Sequence, residues 1–85
     1  MKRKREAERR YDNALGWRDL PDGRVLVLYP TPFTYRLCLG PRDGRSYERA
    51  WSFQLDQLAE AMNALRNWDG VGKPPGRWVR EVRES

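Results

Sequence analysis

Phe33-Thr34-Tyr35-Arg36-Leu37-Cys38-Leu39 decides the fold. Large apolar side chains recur at every second residue, the period of a strand with one face on a core. After a turn written Gly40-Pro41-Arg42-Asp43-Gly44, the run Tyr47 to Phe53 reads as a second strand of the same kind. Pairing Leu39 with Tyr47 sets Leu37 against Arg49, Tyr35 against Trp51 and Phe33 against Phe53, which stacks two aromatic pairs on one face. A one-residue slip scatters the aromatics over both faces and is rejected. The other face then carries Thr34 with Ser52, Arg36 with Ala50 and Cys38 with Glu48, a small and mixed polar surface.

Working upstream, Arg24 to Tyr29 (R-V-L-V-L-Y) is rich in β-branched and apolar residues and forms a further strand. It is bounded by the turn Leu20-Pro21-Asp22-Gly23 and by Pro30-Thr31-Pro32, where proline withdraws a ladder donor. Residues 2–15 carry a helical stripe of Ala7, Tyr11, Ala14 and Leu15, with Lys2–Glu6, Lys4–Glu8 and Glu6–Arg10 as opposite-charge pairs one turn apart. Cations at Lys2 to Arg5 oppose the helix dipole, so that helix firms up near Ala7 and stops at Gly16.

Working downstream, residues 54–67 form the best helix in the chain. Leu55, Leu58, Met62 and Leu65 recur at three- and four-residue steps, with Ala59 and Ala61 between them. Ser52 is the candidate N-cap, Asp56 suits the first turn, and Trp68 closes the helix before Asp69-Gly70. Its exposed face carries Asp56, Gln57, Glu60, Asn63 and Asn67 and is neutral to acidic. Val71-Gly72-Lys73-Pro74-Pro75-Gly76 is a connector, and Arg77 to Arg83 is either a short added strand or a disordered arm. The expected fold is α+β: a small two-layer domain of helix, three-stranded antiparallel sheet and helix, with a basic C-terminal tail. Its parts are a basic N-terminal helix (1–16), a sheet with its packing helix (17–70) and a Pro/Gly-led tail (71–85).

Composition bounds the chemistry. Eighty-five residues make one domain with a thin stability margin. A mean hydropathy of -0.96 is polar, yet four Trp, four Tyr and two Phe are too many for a disordered chain. There is no histidine, which removes the commonest general base, the commonest metal ligand and every Ser–His or Cys–His pair. The single Cys38 cannot form an internal disulfide, and mid-strand it is expected to be inert. No apolar run approaches the ~20 residues of a membrane helix, and no apolar stretch follows the basic start as in a signal peptide. A cytoplasmic, non-enzymatic protein without cofactor or metal is expected.

Charge supplies the functional clue. Seventeen Lys and Arg stand against 12 Asp and Glu, a net charge of +5. Residues 1–10 carry net +4, residues 71–85 net +2, and residues 11–70 net −1, so the excess sits at the two ends. Basic ends on a neutral body suit phosphate contacts, although a basic end also serves simply as a solvated one. The 14 arginines against three lysines offer forked phosphate contacts, but a GC-rich gene is the better account of them and the count adds little. Within Arg77-Trp78-Val79-Arg80, an exposed indole between guanidiniums stacks on a base or anchors an interface; alternatively Trp78 folds back onto the core. Trp17 has the same two readings, while Trp51 and Trp68 belong to the core.

The candidate binding residues are therefore Lys2, Arg3, Lys4, Arg5, Arg9, Arg10, Lys73, Arg77, Trp78 and Arg80. The expected partner is nucleic acid or a nucleoprotein complex. The second expectation is a protein-binding inhibitor or adaptor seated on an acidic surface, of the kind phages and mobile elements use against host nucleoprotein machines such as CRISPR complexes. A homodimer through the strand edge Arg24 to Tyr29 is a further expectation if that strand lies outermost.

Two family resemblances attach to these elements. The strand–strand–strand–helix order over residues 24–67, with Asp43-Gly44-Arg45 at the hairpin turn and a helix after Phe53, resembles the sheet-reading DNA-binding domains of the AP2 and integrase arm-binding kind. With helix 2–15 added, the order is similar to that of double-stranded RNA-binding domains. The chain departs from both: its second helix has an acidic face instead of a lysine cluster, and the free sheet face carries one cation in its second strand, Arg36.

Overall fold

The computed structural model describes residues 13–41 and 47–83. Among them the chain forms five strands: β1 (Gly16–Asp19), β2 (Arg24–Pro30), β3 (Thr34–Pro41), β4 (Arg49–Gln54) and β5 (Arg80–Arg83). A 3-10 turn over Leu55–Gln57 leads from β4 into a single helix, α1 (Leu58–Asn67). The strands make one antiparallel sheet in the order β1-β2-β3-β4-β5, with α1 against one face. No helix among the described residues is long and apolar enough to cross a membrane.

The helix-side core follows from alternation. Leu26 and Leu28 of β2, Leu37 and Leu39 of β3, and Trp51 and Phe53 of β4 are buried against Ala61, Ala64, Leu65 and Trp68. Each such large apolar side chain contributes about 1.5–3 kcal/mol when fully buried. Trp51 and Trp68 meet edge to face with ring centroids 4.9 Å apart. Alanines at 61 and 64 let the helix lie close to the sheet.

The expected helix–three-strand–helix arrangement is overturned: the structure is a five-stranded sheet with one short helix. Residues 1–12, which hold most of the expected helix 2–15, lie outside the described residues. Near the expected end of that helix, Asn13 has a φ of 68° and Leu15 donates to Leu28 O as the ladder with β2 begins. Gly16 opens β1 instead of stopping a helix. A Cβ there would meet Leu65 Cδ2 at 2.9 Å, so glycine serves the approach of strand and helix. With β1 on one side and β3 on the other, β2 is an interior strand, which removes Arg24 to Tyr29 as a dimerising edge. The resemblance to the RNA-binding order, which needs three strands between two helices, does not fit the five-stranded sheet.

The β3–β4 register differs from the expected one by two residues. Tyr35 faces Phe53, Leu37 faces Trp51 and Leu39 faces Arg49. In the turn before β3, Thr31 N donates to Thr34 O at 2.8 Å and Phe33 stands outside the strand, so it has no partner in this ladder. A shift of two keeps every side chain on its expected face. Ser52, expected as an N-cap, is a β4 residue; Gln57 occupies the N-cap of α1 and makes no side-chain cap bond. The C-terminal tail contributes β5, whose Arg80 to Arg83 pair with Ser52 to Arg49.

Candidate binding surface

Most arginines of the folded body are engaged internally. Arg18 Nε donates to Leu65 O at 2.6 Å and its Nη2 donates to Trp68 O, so its guanidinium caps the C-terminal carbonyls of α1. Arg24 pairs with Asp22 at 2.6 Å and donates to Gly70 O. The hydrogen bond from the Arg24 side chain is the largest cause holding the Asp22 carboxyl below its ordinary range. Arg49 pairs with Glu81 at 2.8 Å and lies over the Trp51 ring, 4.8 Å from its centroid. Its pairing with Glu81 ties β5 to β4.

Of the tail residues expected to bind a partner, two are drawn inward. Arg77 pairs with Glu60 at 2.6 Å, donates from its backbone N to Glu60 Oε1 and reaches Gln57. Its side-chain bond to Glu60 holds that carboxyl below its ordinary range. Trp78 is half-buried against the core cluster and its Nε1 donates to Pro74 O at 3.1 Å. Lys73 rests its ammonium over the Trp78 ring at 5.5 Å. Arg80 is exposed, and its side chain makes no ion pair or hydrogen bond among the described residues.

The sheet register brings Arg80 into line with a second arginine. Tyr29 faces Arg36, Arg36 faces Ser52 and Ser52 faces Arg80, a transverse row across β2, β3, β4 and β5. Arg36 alternates with the buried Leu37 of the helix side, so the row lies on the second face of the sheet. Two strand spacings set the Arg36 and Arg80 backbones about 10 Å apart. Arg36 Nε is buried without a hydrogen-bond partner, and the guanidinium has no acidic partner among the described residues. Thr34 and Gln54 form the next pair toward the β2–β3 turn.

The other half of this face is apolar. Val27, Cys38, Ala50 and Val82 make the adjacent row, with Trp17 beside Val27. Ala14 and Tyr29 pack against Val25 and Val27. Burial pushes the Cys38 thiol up to about 11, the nearby Arg36 charge opposing this only in part. A protonated, buried thiol is a poor nucleophile. No group of three or more acidic or sulfur ligands is placed to hold a metal ion among the described residues. The chain reaches the sheet at this face through Ala14, and the expected binding residues Lys2, Arg3, Lys4, Arg5, Arg9 and Arg10 precede it, outside the described residues.

The Arg36–Ser52–Arg80 row escapes sequence reasoning as long as residues 77–83 read equally as strand or arm. A signal is nonetheless present: Arg80-Glu81-Val82-Arg83 follows Gly76 closely enough to turn back along β4. Phe33, expected in the core, is 82% exposed. No family model, curated protein or solved structure matches this chain.

Proposed function

We propose that this chain is a non-enzymatic binding protein that engages nucleic acid, free or within a nucleoprotein complex, through the second face of its sheet and the basic segment leading into it. One observation carries this reading: Arg36 and Arg80 flank Ser52 on one face with no acidic partner among the described residues, while Arg18, Arg24, Arg49 and Arg77 are all engaged within the fold. Two uncompensated guanidiniums on one face offer forked donors to phosphate oxygens. The six cations of residues 1–10 precede Ala14 in sequence and add long-range attraction for a polyanion.

The test is binding of labelled duplex and single strands at several salt concentrations starting near 50 mM. Arg36→Gln combined with Arg80→Gln is expected to weaken binding and to flatten the log–log salt slope by about 1.5, the share of two phosphate contacts. An unchanged slope, with circular dichroism showing the variant folded, would remove these arginines from the interface.

A protein-binding inhibitor or adaptor of a nucleoprotein machine is the second reading. Leu55 and Leu58, both exposed at the start of the helical segment, favour it. A partner retained after nuclease treatment, and lost on Leu55→Ser with Leu58→Ser but not on the arginine double variant, supports this second reading over the first.

A further inference from the structure

We infer that residues 1–12 fold back over the apolar half of the second sheet face as an intramolecular cover, with Ala7 and Tyr11 turned toward the strands. Burial without a described neighbour is what calls for it. Val25, Val27, Cys38, Ala50 and Ser52 are all between 0 and 7% exposed in the single chain. They alternate along their strands with the leucines and aromatics of the helix side, so they point to the opposite face. The helix α1 packs on the helix-side core, and the connector to β5 follows it there, with Gly76 near Phe53 and Trp78 against the same cluster. Ala14 and Tyr29 pack on Val25 and Val27. Ala50 lies two strand spacings beyond Val27, about 10 Å away, and no helix or strand among the described residues lies over it. An uncovered face of an antiparallel sheet is solvated, and this one is not.

Length singles out the occupant. The chain outside the described residues comprises 1–12, 42–46 and 84–85. Residues 42–46 are spent on the turn between Pro41 and Tyr47, and 84–85 are too few. Residues 1–12 lead into Ala14, which already packs on this face. As a helix they reach about 18 Å, against about 19 Å for the four strand spacings from β1 to β5. Asn13 has a φ of 68°, the left-handed conformation in which asparagine can follow the last turn of a helix. The expected stripe is thereby cut to Ala7 and Tyr11, one turn apart, with Lys2, Arg5 and Arg9 on the opposite side. Valine, alanine and cysteine side chains make a shallow surface that one tyrosine ring can cover while the cations keep to water. A second copy is not needed, because one chain alone buries the row.

A nitroxide at residue 5 of the full chain (Arg5→Cys with Cys38→Ala) tests the placement without disturbing the buried side of the segment. The methyl NMR signals of Val27 and Val82 are expected to broaden more strongly than those of Leu26 and Leu65, which lie on the helix side. Equal broadening on both sides, or none, overturns the cover. So does broadening found only between nitroxide-bearing and isotope-labelled chains mixed together, which would assign the cover to a second copy. Cys38 gives the second readout. Ala7→Gln with Tyr11→Gln is expected to speed its reaction with a thiol-specific disulfide reagent roughly ten- to hundred-fold, the span of losing one buried aromatic from a local closing equilibrium. Arg5→Gln with Arg9→Gln is expected to stay within about twofold of wild type, since local opening is unaffected. A wild-type rate in the first variant overturns the cover, as does an acceleration no greater than its loss of global stability in urea accounts for. Should that variant fail to fold, the nitroxide measurement decides. No readout here uses a ligand, so a failure leaves the nucleic-acid reading where it stands.

Discussion

Gly70 lies against Leu20 with no room for a side chain: a Cβ there would stand 2.7 Å from Leu20 Cδ1 and 3.1 Å from Arg24 Nη2. Its φ of 86° is also one that L side chains rarely adopt. The chain turns here from α1 toward β5, and Gly70 O accepts from Arg24 at 3.1 Å. Gly70→Ala is expected to cost about 2–4 kcal/mol, combining left-handed strain with overpacking. Gly23 supplies the control, with a φ of 89° and open space within 4 Å of where a Cβ would stand. Gly23→Ala is expected to cost only the strain, about 1–2 kcal/mol. Urea denaturation of the two variants checks the contrast; equal costs would mean that Leu20 and Arg24 yield freely.

Glu60 receives Arg77 from two directions, backbone N and guanidinium, both at 2.7 Å. The hydrogen bond from the Arg77 side chain is the main reason its pKa falls below the ordinary 4.5. A carboxylate whose folded pKa is depressed adds stability above its unfolded pKa and loses it as pH drops through the folded value. Glu60→Gln is therefore expected to melt lower than wild type at pH 7, with the gap closing below about pH 4. Because both partners reach solvent, the gap at pH 7 should be small and shrink further at high salt. A gap that persists in acid would assign Glu60 a role independent of its charge.

The parts of the fold legible in the sequence are those fixed by strong local periodicity. Arg24 to Tyr29 and the alternating run ending at Leu39 carry their burial in their spacing, whereas of the leucine stripe from 55 to 65 only Leu65 is buried, with Ala61 and Ala64 beside it and Leu55 and Leu58 exposed. The core positions of Trp51 and Trp68 follow from those elements. The edge strands are hidden for a physical reason: β1 is Gly-Trp-Arg-Asp and β5 is Arg-Glu-Val-Arg, short sequences held by their neighbours' ladders more than by their own apolar faces. Arg18 illustrates the limit, since its bonds to Leu65 O and Trp68 O join residues 47 and 50 positions away. The candidate site is half legible. Arg80 stands out by its charge, but its position across Ser52 from Arg36 needs β5.

Cys38 gives a chemical check on the second face. It is 7% exposed, and burial raises its pKa from 9.0 to about 11. Native protein at pH 8 should therefore react with a thiol-specific disulfide reagent far more slowly than urea-unfolded protein. The sign of the linkage follows: a neutral thiol favoured by burial adds stability below pH 9 that erodes as pH climbs toward 11. Cys38→Ala should lack that portion of the alkaline decline. Fast labelling of the native state would mean that this half of the face opens readily.

Trp78 and Arg80 stand two residues apart and are expected to separate stability from binding. Trp78 packs on the core cluster and anchors its indole to Pro74 O. Trp78→Ala is expected to lower stability by about 2 kcal/mol, less than a fully buried aromatic because the ring is only half covered. The Arg80 side chain makes no ion pair or hydrogen bond among the described residues, so Arg80→Gln should leave stability within about 0.5 kcal/mol of wild type. Its effect should surface in nucleic-acid affinity at low salt and fade as salt rises, since a screened charge is all that has been removed. Thermal melts and salt-dependent anisotropy on the same two variants decide the matter. A Trp78→Ala protein that melts like wild type yet binds weakly would reverse the assignment and place the indole at the interface.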